Sequence, residues 1–547
     1  MSSVFSDAYD TDNGRGVMAD IPVKNALPNL TEAELTPKLS LLIAYIEQQQ
    51  ETIQKQQSEI ENLKTELARL KKLPKKPKIR PSKLSKSDTD KGSGRSGKSR
   101  KSRKGKKSLI IHKTEIIKPD CLPHGSRLLG YEDYTVQDLL IQPHNTHYRL
   151  ARYKTPDGKA VTGSLPEELQ GSHFGITLKS YIIYQYYHQR VTQPLILQQL
   201  SEWGIHISSG QINNILIQDK TAFHMEKDEL LSAGINNSRY IHVDDTGSRH
   251  DGRNGYCTHI GNESFAWFSS TGSKSRINFL ELLCGSSIDY TINFSALNYM
   301  RRQRLPQGPL NAISNCIDII CENKEEWKGF LQHLKITNKR HVRIATEGAL
   351  HGTLSVSDLS SDLVIMSDDA GQFNILLHAL CWVHADRIFQ RIVPFNDRQA
   401  RDIEDVHTQF WMIYNELKRY KEKPTSDLKE AIDAQFDQLC STQTSFATLK
   451  QTLKRLASNK KELLLVLERP DIPLHNNLSE RDIREYVIKR KISGSTRSEN
   501  GRRCRDTFAS LKKTCKKQRL SFWKFLCDRL RKQNLVPYLP DLLSEKV

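Results

Sequence analysis

Apolar positions along the chain recur with several different periods. Leu39, Ile46, Ile53, Ile60 and Leu67 return every seven residues, Leu42, Leu63 and Leu70 fall on the matching second seam, and Gln49 and Gln56 lie between them. This heptad pattern predicts a coiled coil over residues 31–73, ended by Pro74. A single amphipathic helix packed on its own chain would share the pattern, but the segment that follows offers it no core. The seam glutamines weaken the contact while restricting its register, which favours a homodimer over a larger oligomer.

Helical spacing returns within residues 171–225. A helix through Leu178, Ile182, Ile183 and Tyr186 precedes Thr192–Leu200, a turn at Trp203-Gly204-Ile205, and a second helix opening near Ser208-Ser209. Two helices joined by a tight Gly turn, the second capped by serine, form a helix-turn-helix pattern. Such a corner either presents Gln211, Asn213 and Asn214 to bases or serves as plain structure. Beyond it the period shortens to that of strands. Tyr240–Val243 reads as a strand with Asp244 at its end, and Gly255–Ile260 and Ser264–Phe268, separated by Gly261-Asn262, read as a hairpin paired with it. Leu363–Ser367 is a second buried strand, with Asp368 where it stops. Near the C-terminus, Phe508–Leu530 is amphipathic, and Phe508, Leu511, Cys515, Phe522, Phe525 and Leu526 supply a core-facing side.

Composition adds boundaries. At 547 residues the chain calls for two to four domains. Residues 1–30 are polar and read as disordered, and residues 74–107 form a Lys/Arg/Ser/Gly linker. A stretch from 108 to 170, broken by Pro119, Pro123, Pro143 and Pro156, reads as a small β-rich module. Cys121 and His124 there lack a second ligand pair, so no zinc site is expected. The net charge of +19 is concentrated: Pro74–Lys107 carries 15 Lys/Arg against two Asp, and Arg481–Lys532 carries 18 against five acids. The charge points to a polyanionic partner gripped through phosphates, with a solubilising spacer as the alternative reading of the linker. The ten cysteines form no CxxC pair, no secretory signal opens the chain, and no apolar run spans a bilayer. The expected setting is a reducing cytosol, with no membrane.

The candidate chemistry lies in carboxylates. Asp244, Asp368 and Glu480, the last in the first turn of a helix beginning near Asn477, could converge at a sheet end. Such hard oxygen ligands suit Mg²⁺ or Mn²⁺. Two ions about 4 Å apart can activate one oxygen at phosphorus and stabilise another. The residues alone leave other readings open, since Asp after a strand also caps turns and Asn477–Glu480 also fits a capping box. Each aspartate has an acidic neighbour, Asp245 or Asp369, so the sequence does not say which points inward. His384, in Cys381-Trp382-Val383-His384, reads first as a packed core group and otherwise as a contact to DNA or the metal site. Arg481 and Arg484 either reach phosphates or line a solvated helix face.

Asp244-Asp245-Thr246-Gly247, Ser367-Asp368-Asp369-Ala370-Gly371, Cys381-Trp382-Val383-His384-Ala385 and Asn476-Asn477-Leu478-Ser479-Glu480-Arg481 occur in the order seen in bacterial insertion-sequence transposases of family sixty-six, and the chain resembles that family over most of its length. The resemblance implies a multidomain α+β chain: an N-terminal coiled-coil helix, a helix-turn-helix region, a ribonuclease-H-like α/β catalytic core over 236–510, and C-terminal helices over 511–547. It implies that Asp244, Asp368 and Glu480 are both the catalytic residues and the ligands of two Mg²⁺ or Mn²⁺ ions. The activity implied is metal-dependent cleavage of element ends and strand transfer into target DNA, with helper proteins as further possible partners. A basic group, Arg481, Arg484, Lys489, Arg490, Lys491, Arg497, Arg502 and Arg503, is expected on DNA with Gln211, Asn213 and Asn214. Two departures stand out: Asp-Asp-Thr-Gly replaces the family's Asp-Glu-Thr-Pro, and zinc-ribbon-like cysteine pairs are missing from 109–165. The carboxylates are 124 and 112 residues apart, with insertions expected at about 285–357 and 390–470. A noncatalytic DNA-binding regulator, a decayed transposase or a related metal-dependent nuclease are the alternatives.

Overall fold

The computed structural model describes residues 172–544 apart from 286, 287, 358 and 361, most of 111–166, and Gln49, Ile53 and Gln56. The chain divides into Met1–Arg80 and Pro81–Val547, and every element below belongs to the second unit. Residues 1–30, the linker and nearly all of the expected coiled coil lie outside the described residues; Gln49, Ile53 and Gln56 are helical and exposed.

Within 111–166 the regular structure is an exposed antiparallel hairpin, β1 (Arg152–Lys154) and β2 (Ala160–Thr162), turned at Gly158 with φ +83°. Helices α1 (Ile176–Ile183), α2 (Gln193–Glu202), α3 (Ser209–Ile217) and α4 (Thr221–Asn236) follow. Gly204, at φ +75°, turns the chain out of α2, and Ser208 Oγ accepts from Gln211 N at 3.2 Å to cap α3. Ile196 and Leu200 on α2 and Ile212 and Leu216 on α3 are fully buried, so the two helices share an apolar seam.

The central sheet is mixed. Strands β3 (Tyr240–His250), β4 (Arg253–Gly261) and β5 (Ala266–Thr271) form an antiparallel meander. There follow α5 (Arg276–Cys284), β6 (Tyr290–Thr291), α6 (Phe294–Arg302), α7 (Gln307–Ser314), β7 (Ile320–Cys321), α8 (Lys324–His333) and α9 (Lys339–Val356), with β6 and β7 forming a small separate sheet. Then β8 (Val364–Ser367) and β9 (Leu377–Leu380) add in parallel, giving the order β5-β4-β3-β8-β9. Alternation along the strands divides the apolar side chains between the faces: Ile241, Val243 and Ile365 enter one core and Val364 and Met366 the other.

Helices α10 (Trp382–Gln390), α11 (Asp397–Glu422), α12 (Ser426–Cys440) and α13 (Ala447–Ser458) build the second core. Trp382 is fully buried and donates to Leu463 O at 2.9 Å, while buried Asp386 accepts from Trp411 Nε1 at 3.1 Å and lies 2.5 Å from His407 Nε2. These contacts tie α10 to α11. The chain then gives α14 (Asn477–Ser493), α15 (Glu499–Lys517) and α16 (Phe522–Arg531).

Helix α15 lies along the outer strand β5. Asp506, Ser510 and Thr514 accept from the amides of Ser270, Phe268 and Ala266 at 2.7, 2.9 and 3.1 Å. Four helical residues rise about 6 Å and two strand residues about 6.6 Å, so a side chain on each successive turn meets every second amide. The sheet edge is thereby satisfied without another strand.

One expectation needs correcting. Asp244 is inside β3, not at its end, because β4 pairs with β3 out to His250 while β8 pairs with it only through His242 and Met366. Past that point, among the described residues, no strand pairs with the β8 side of β3 before the isolated bridge between His250 and Thr496.

Asn476 fixes where α14 begins. It accepts from His242 Nδ1 at 2.8 Å, donates to Val243 O at 2.7 Å, and its amide meets Cys381 Sγ at 3.1 Å, all in buried surroundings. Asn476→Ala should therefore leave a buried carbonyl and a neutral buried imidazole without partners, lowering stability by about 2–4 kcal/mol. Urea denaturation followed by circular dichroism measures this as a lower midpoint at unchanged slope.

Candidate active site

The parallel register brings the first two carboxylates together. His242 pairs with Met366, Asp244 lies two residues beyond the former and Asp368 two beyond the latter, and side chains on strands repeat every two residues. The two acids therefore project from one face at one level, where the strands part. The third comes from α14, anchored one turn earlier by Asn476. Ser479 and Asp482 flank Glu480 and hold His259, the cross-strand partner of Asp244: His259 Nδ1 is 2.6 Å from Ser479 Oγ and Nε2 is 3.3 Å from Asp482.

Electrostatics records the convergence. Burial, then the charge of Asp368, raises the Asp244 carboxyl from its ordinary value to about 7, with Asp245 and Glu480 adding further repulsion and the Asp245 amide opposing it through a 2.8 Å hydrogen bond. The acidic neighbours behave differently. Asp245 is ion-paired to Lys274 at 2.5 Å and accepts from Gln372 Nε2 at 2.8 Å, and Asp369 is paired to Arg455 at 2.5 Å. Among the described residues no cation forms an ion pair with Asp244 or Asp368; Asp368 Oδ1 accepts from the Ala370 amide at 3.1 Å. Glu480 turns to α10, with Oε1 2.9 Å from Arg387 Nη2 and 3.3 Å from His384 Nε2. His384 is thus no plain core group; burial and Arg387 lower its pKa despite Glu480 and Asp368.

Beside Asp368 opens a cleft of about 400 Å³ between α10 and α13, lined among others by His384, Arg387, Arg391, Arg455 and Asn459. Among the described residues, no three His, Cys, Asp or Glu side chains stand arranged to hold an ion as they are. The donor set nevertheless fits a hard divalent cation: two uncompensated carboxylates at one level of the sheet, and a third whose present partners are cations that a metal would replace.

The family model for the IS66 family of transposases matches residues 334–503, which include Asp368 and Glu480. An uncharacterized Sinorhizobium fredii protein, y4jO, is 44% identical over 307 residues, covering 55% of this chain and 94% of its own length. The chain belongs to the IS66 family of transposases.

The basic residues expected on DNA in this IS66-family chain are distributed unevenly. Gln211 and Asn214 are exposed on α3, and Asn213 is half-buried and 3.5 Å from Gln193 Nε2. Arg484, Lys491 and Arg497 are exposed, while Arg481 is half-buried with Nε donating to Asn477 O at 3.2 Å. Arg490 donates to Gly247 O, Arg502 pairs with Glu499, and Arg503 lies 3.7 Å from Asp228. Lys489 requires correction as a phosphate contact. It is buried, with Nζ 3.4 Å from the centre of the Tyr186 ring, because its position on α14 faces α15 and not solvent. Arg387, Arg391, Arg455 and Asn476 were not singled out from the sequence. For Arg387 a signal existed: it follows His384 by three residues, which on a helix puts both on one face.

The raised pKa of Asp244 has a stability consequence. The folded state holds the proton up to about pH 7 and the unfolded chain releases it near 3.8, so stability falls as pH rises through that interval. Asp244→Asn, which mimics the protonated form, should raise the melting temperature of chelator-treated protein at pH 8 by roughly 2–4 °C. The difference should shrink as the pH is lowered toward 5 in thermal melts.

Proposed function

We propose that this transposase binds the ends of an insertion sequence and catalyses metal-dependent strand cleavage and strand transfer at Asp244, Asp368 and Glu480. The observation that carries the reading is the parallel register that sets Asp244 and Asp368 side by side, both half-buried and, among the described residues, without a paired cation. Such an arrangement is unfavourable for a protein that never binds a cation there. Two Mg²⁺ or Mn²⁺ ions held by these three residues would supply activation of the attacking oxygen and stabilisation of the leaving one.

The chain's own groups do the remaining work. Lys274 and Arg455 neutralise Asp245 and Asp369, leaving Asp244 and Asp368 as ligands. Arg387 and His384 hold Glu480 until it is needed, and the freed Arg387 joins Arg391 in the cleft to bind phosphate oxygens through its forked donors. Exposed Arg484, Lys491 and Arg497 extend the grip along the backbone. The sheet order, with an acid on the central strand, another after its parallel neighbour and a third on a helix laid against them, supports a ribonuclease-H-like core. The α2–α3 corner, with Gln211 and Asn214 outward, supports end recognition through a helix-turn-helix. A homodimer joined through the heptad segment would hold two ends at once, with helper proteins as additional partners. No helix among the described residues is long and apolar enough to cross a membrane, consistent with work at the nucleoid in the cytoplasm.

Asp368→Asn should abolish Mn²⁺-dependent nicking of element-end DNA, a loss of at least about 10³-fold, while end binding in gel shifts stays unchanged. Undiminished nicking would overturn the assignment. Arg391→Ala should weaken binding of end DNA several-fold and reduce the salt slope of log Kd by about one. Salt titration of fluorescence anisotropy reads both quantities.

A further inference from the structure

The most unusual buried charges lie away from the carboxylates, between α14, α15 and the Tyr184–His188 turn that continues α1. Lys489 is 6% exposed and Arg505 7%, and Lys489 Nζ and Arg505 Nε and Nη1 make no hydrogen bond. Both line a cavity of about 20 Å³ together with Lys512, Lys513, Asp482 and Glu485. Four cations thus face two carboxylates.

Those carboxylates are already engaged. Asp482 is 2.6 Å from Lys517, 3.1 Å from Lys513 and 3.3 Å from His259, and Glu485 is 2.7 Å from Lys513 and 3.7 Å from Lys512. Asp506 lies 3.8 Å from Arg505 Nε, but its oxygens accept from Tyr486 OH, Ser270 Oγ and the Ser270 amide. Arg505 Nη2 is satisfied by Ser248 and Ser270, and Lys489 has the Tyr186 ring face. Among the described residues no carboxylate pairs with Lys489, and none hydrogen-bonds Nε or Nη1 of Arg505.

We propose that this cavity binds a single monatomic anion, chloride in the cell, between Lys489 and Arg505. A water could fill the space but would leave the excess charge uncompensated, and buried charge without a counter-charge is strongly unfavourable. Size sets the ligand class. The space is little larger than the roughly 10–15 Å³ that one water requires, so a monatomic halide fits it more readily than a tetrahedral phosphate or sulfate. Burial and the neighbouring Lys512 and Arg190 depress the Lys489 ammonium to about 7, a strain an adjacent anion would relieve. The site would fasten α14, which carries Glu480 at its other end, against α15.

The test is thermal unfolding of the full chain at pH 7 and constant ionic strength in potassium chloride, bromide, sulfate or gluconate. Chloride and bromide should raise the melting temperature saturably by about 2 °C over gluconate, sulfate should give only its general, non-saturating stabilisation, equal in the unaltered protein and the variant, and Lys489→Met should remove the halide response. Equal melting in chloride and gluconate, or a halide response retained in Lys489→Met, overturns the proposal. Should that variant not fold, a bromide-soaked crystal of the unaltered protein decides: an anomalous peak between Lys489 and Arg505 supports the site, and its absence refutes it.

Discussion

Repulsion among carboxylates that the fold forces together is the constraint from which most of the molecule's arrangement follows. Asp244 and Asp368 are placed side by side by a parallel strand register, and among the described residues no cation forms an ion pair with either. Elsewhere acids are neutralised with care. Lys274 and Arg455 answer Asp245 and Asp369, Arg529 answers Glu226, and Lys513 and Lys517 answer Asp482, which they and His259 hold well below the usual carboxylate range against the effect of burial. Among the described residues, then, structural carboxylates are paired with cations while these two adjacent ones are not. The cost is local, and the two cores on either face of the sheet supply the stability to bear it.

The same constraint explains the partners of Glu480. Glu480 pairs with Arg387 and His384 on α10, a helix held by Trp382 to Leu463 and by Asp386 to α11. The residues that hold Glu480 are therefore mounted on the segment that also walls the arginine cleft. A phosphate drawn into the cleft and a metal drawn to the acids would each compete for one half of the Arg387–Glu480 pair, so the two binding events favour one another.

Much of the sheet was legible because strands announce themselves locally: alternating apolar residues mark Tyr240–Val243, Gly255–Ile260 and Leu363–Ser367, and the acids follow apolar runs. What the sequence withheld depends on residues distant along the chain. Whether Asp244 or Asp245 faces the opening is decided by Lys274 and Gln372, and the extent of β3 by how far β4 and β8 each accompany it. Asn476 looked like one polar residue before a helix, yet its three bonds reach β3 and Cys381. Lys489 belonged to a basic run that reads as phosphate-binding, and only the packing of α14 on α15 turns it inward. Charge runs report composition; which members meet solvent is a matter of helical phase.

The ladder of Asp506, Ser510 and Thr514 along β5 bears on the fate of incomplete chains. A product ending before residue 500 would still contain the whole meander, but the amides of Ala266, Phe268 and Ser270 would be bare and aligned. Such an edge recruits strands from other molecules. Premature termination in this gene should thus yield insoluble aggregates and not soluble protein, so that damaged copies silence themselves by precipitation.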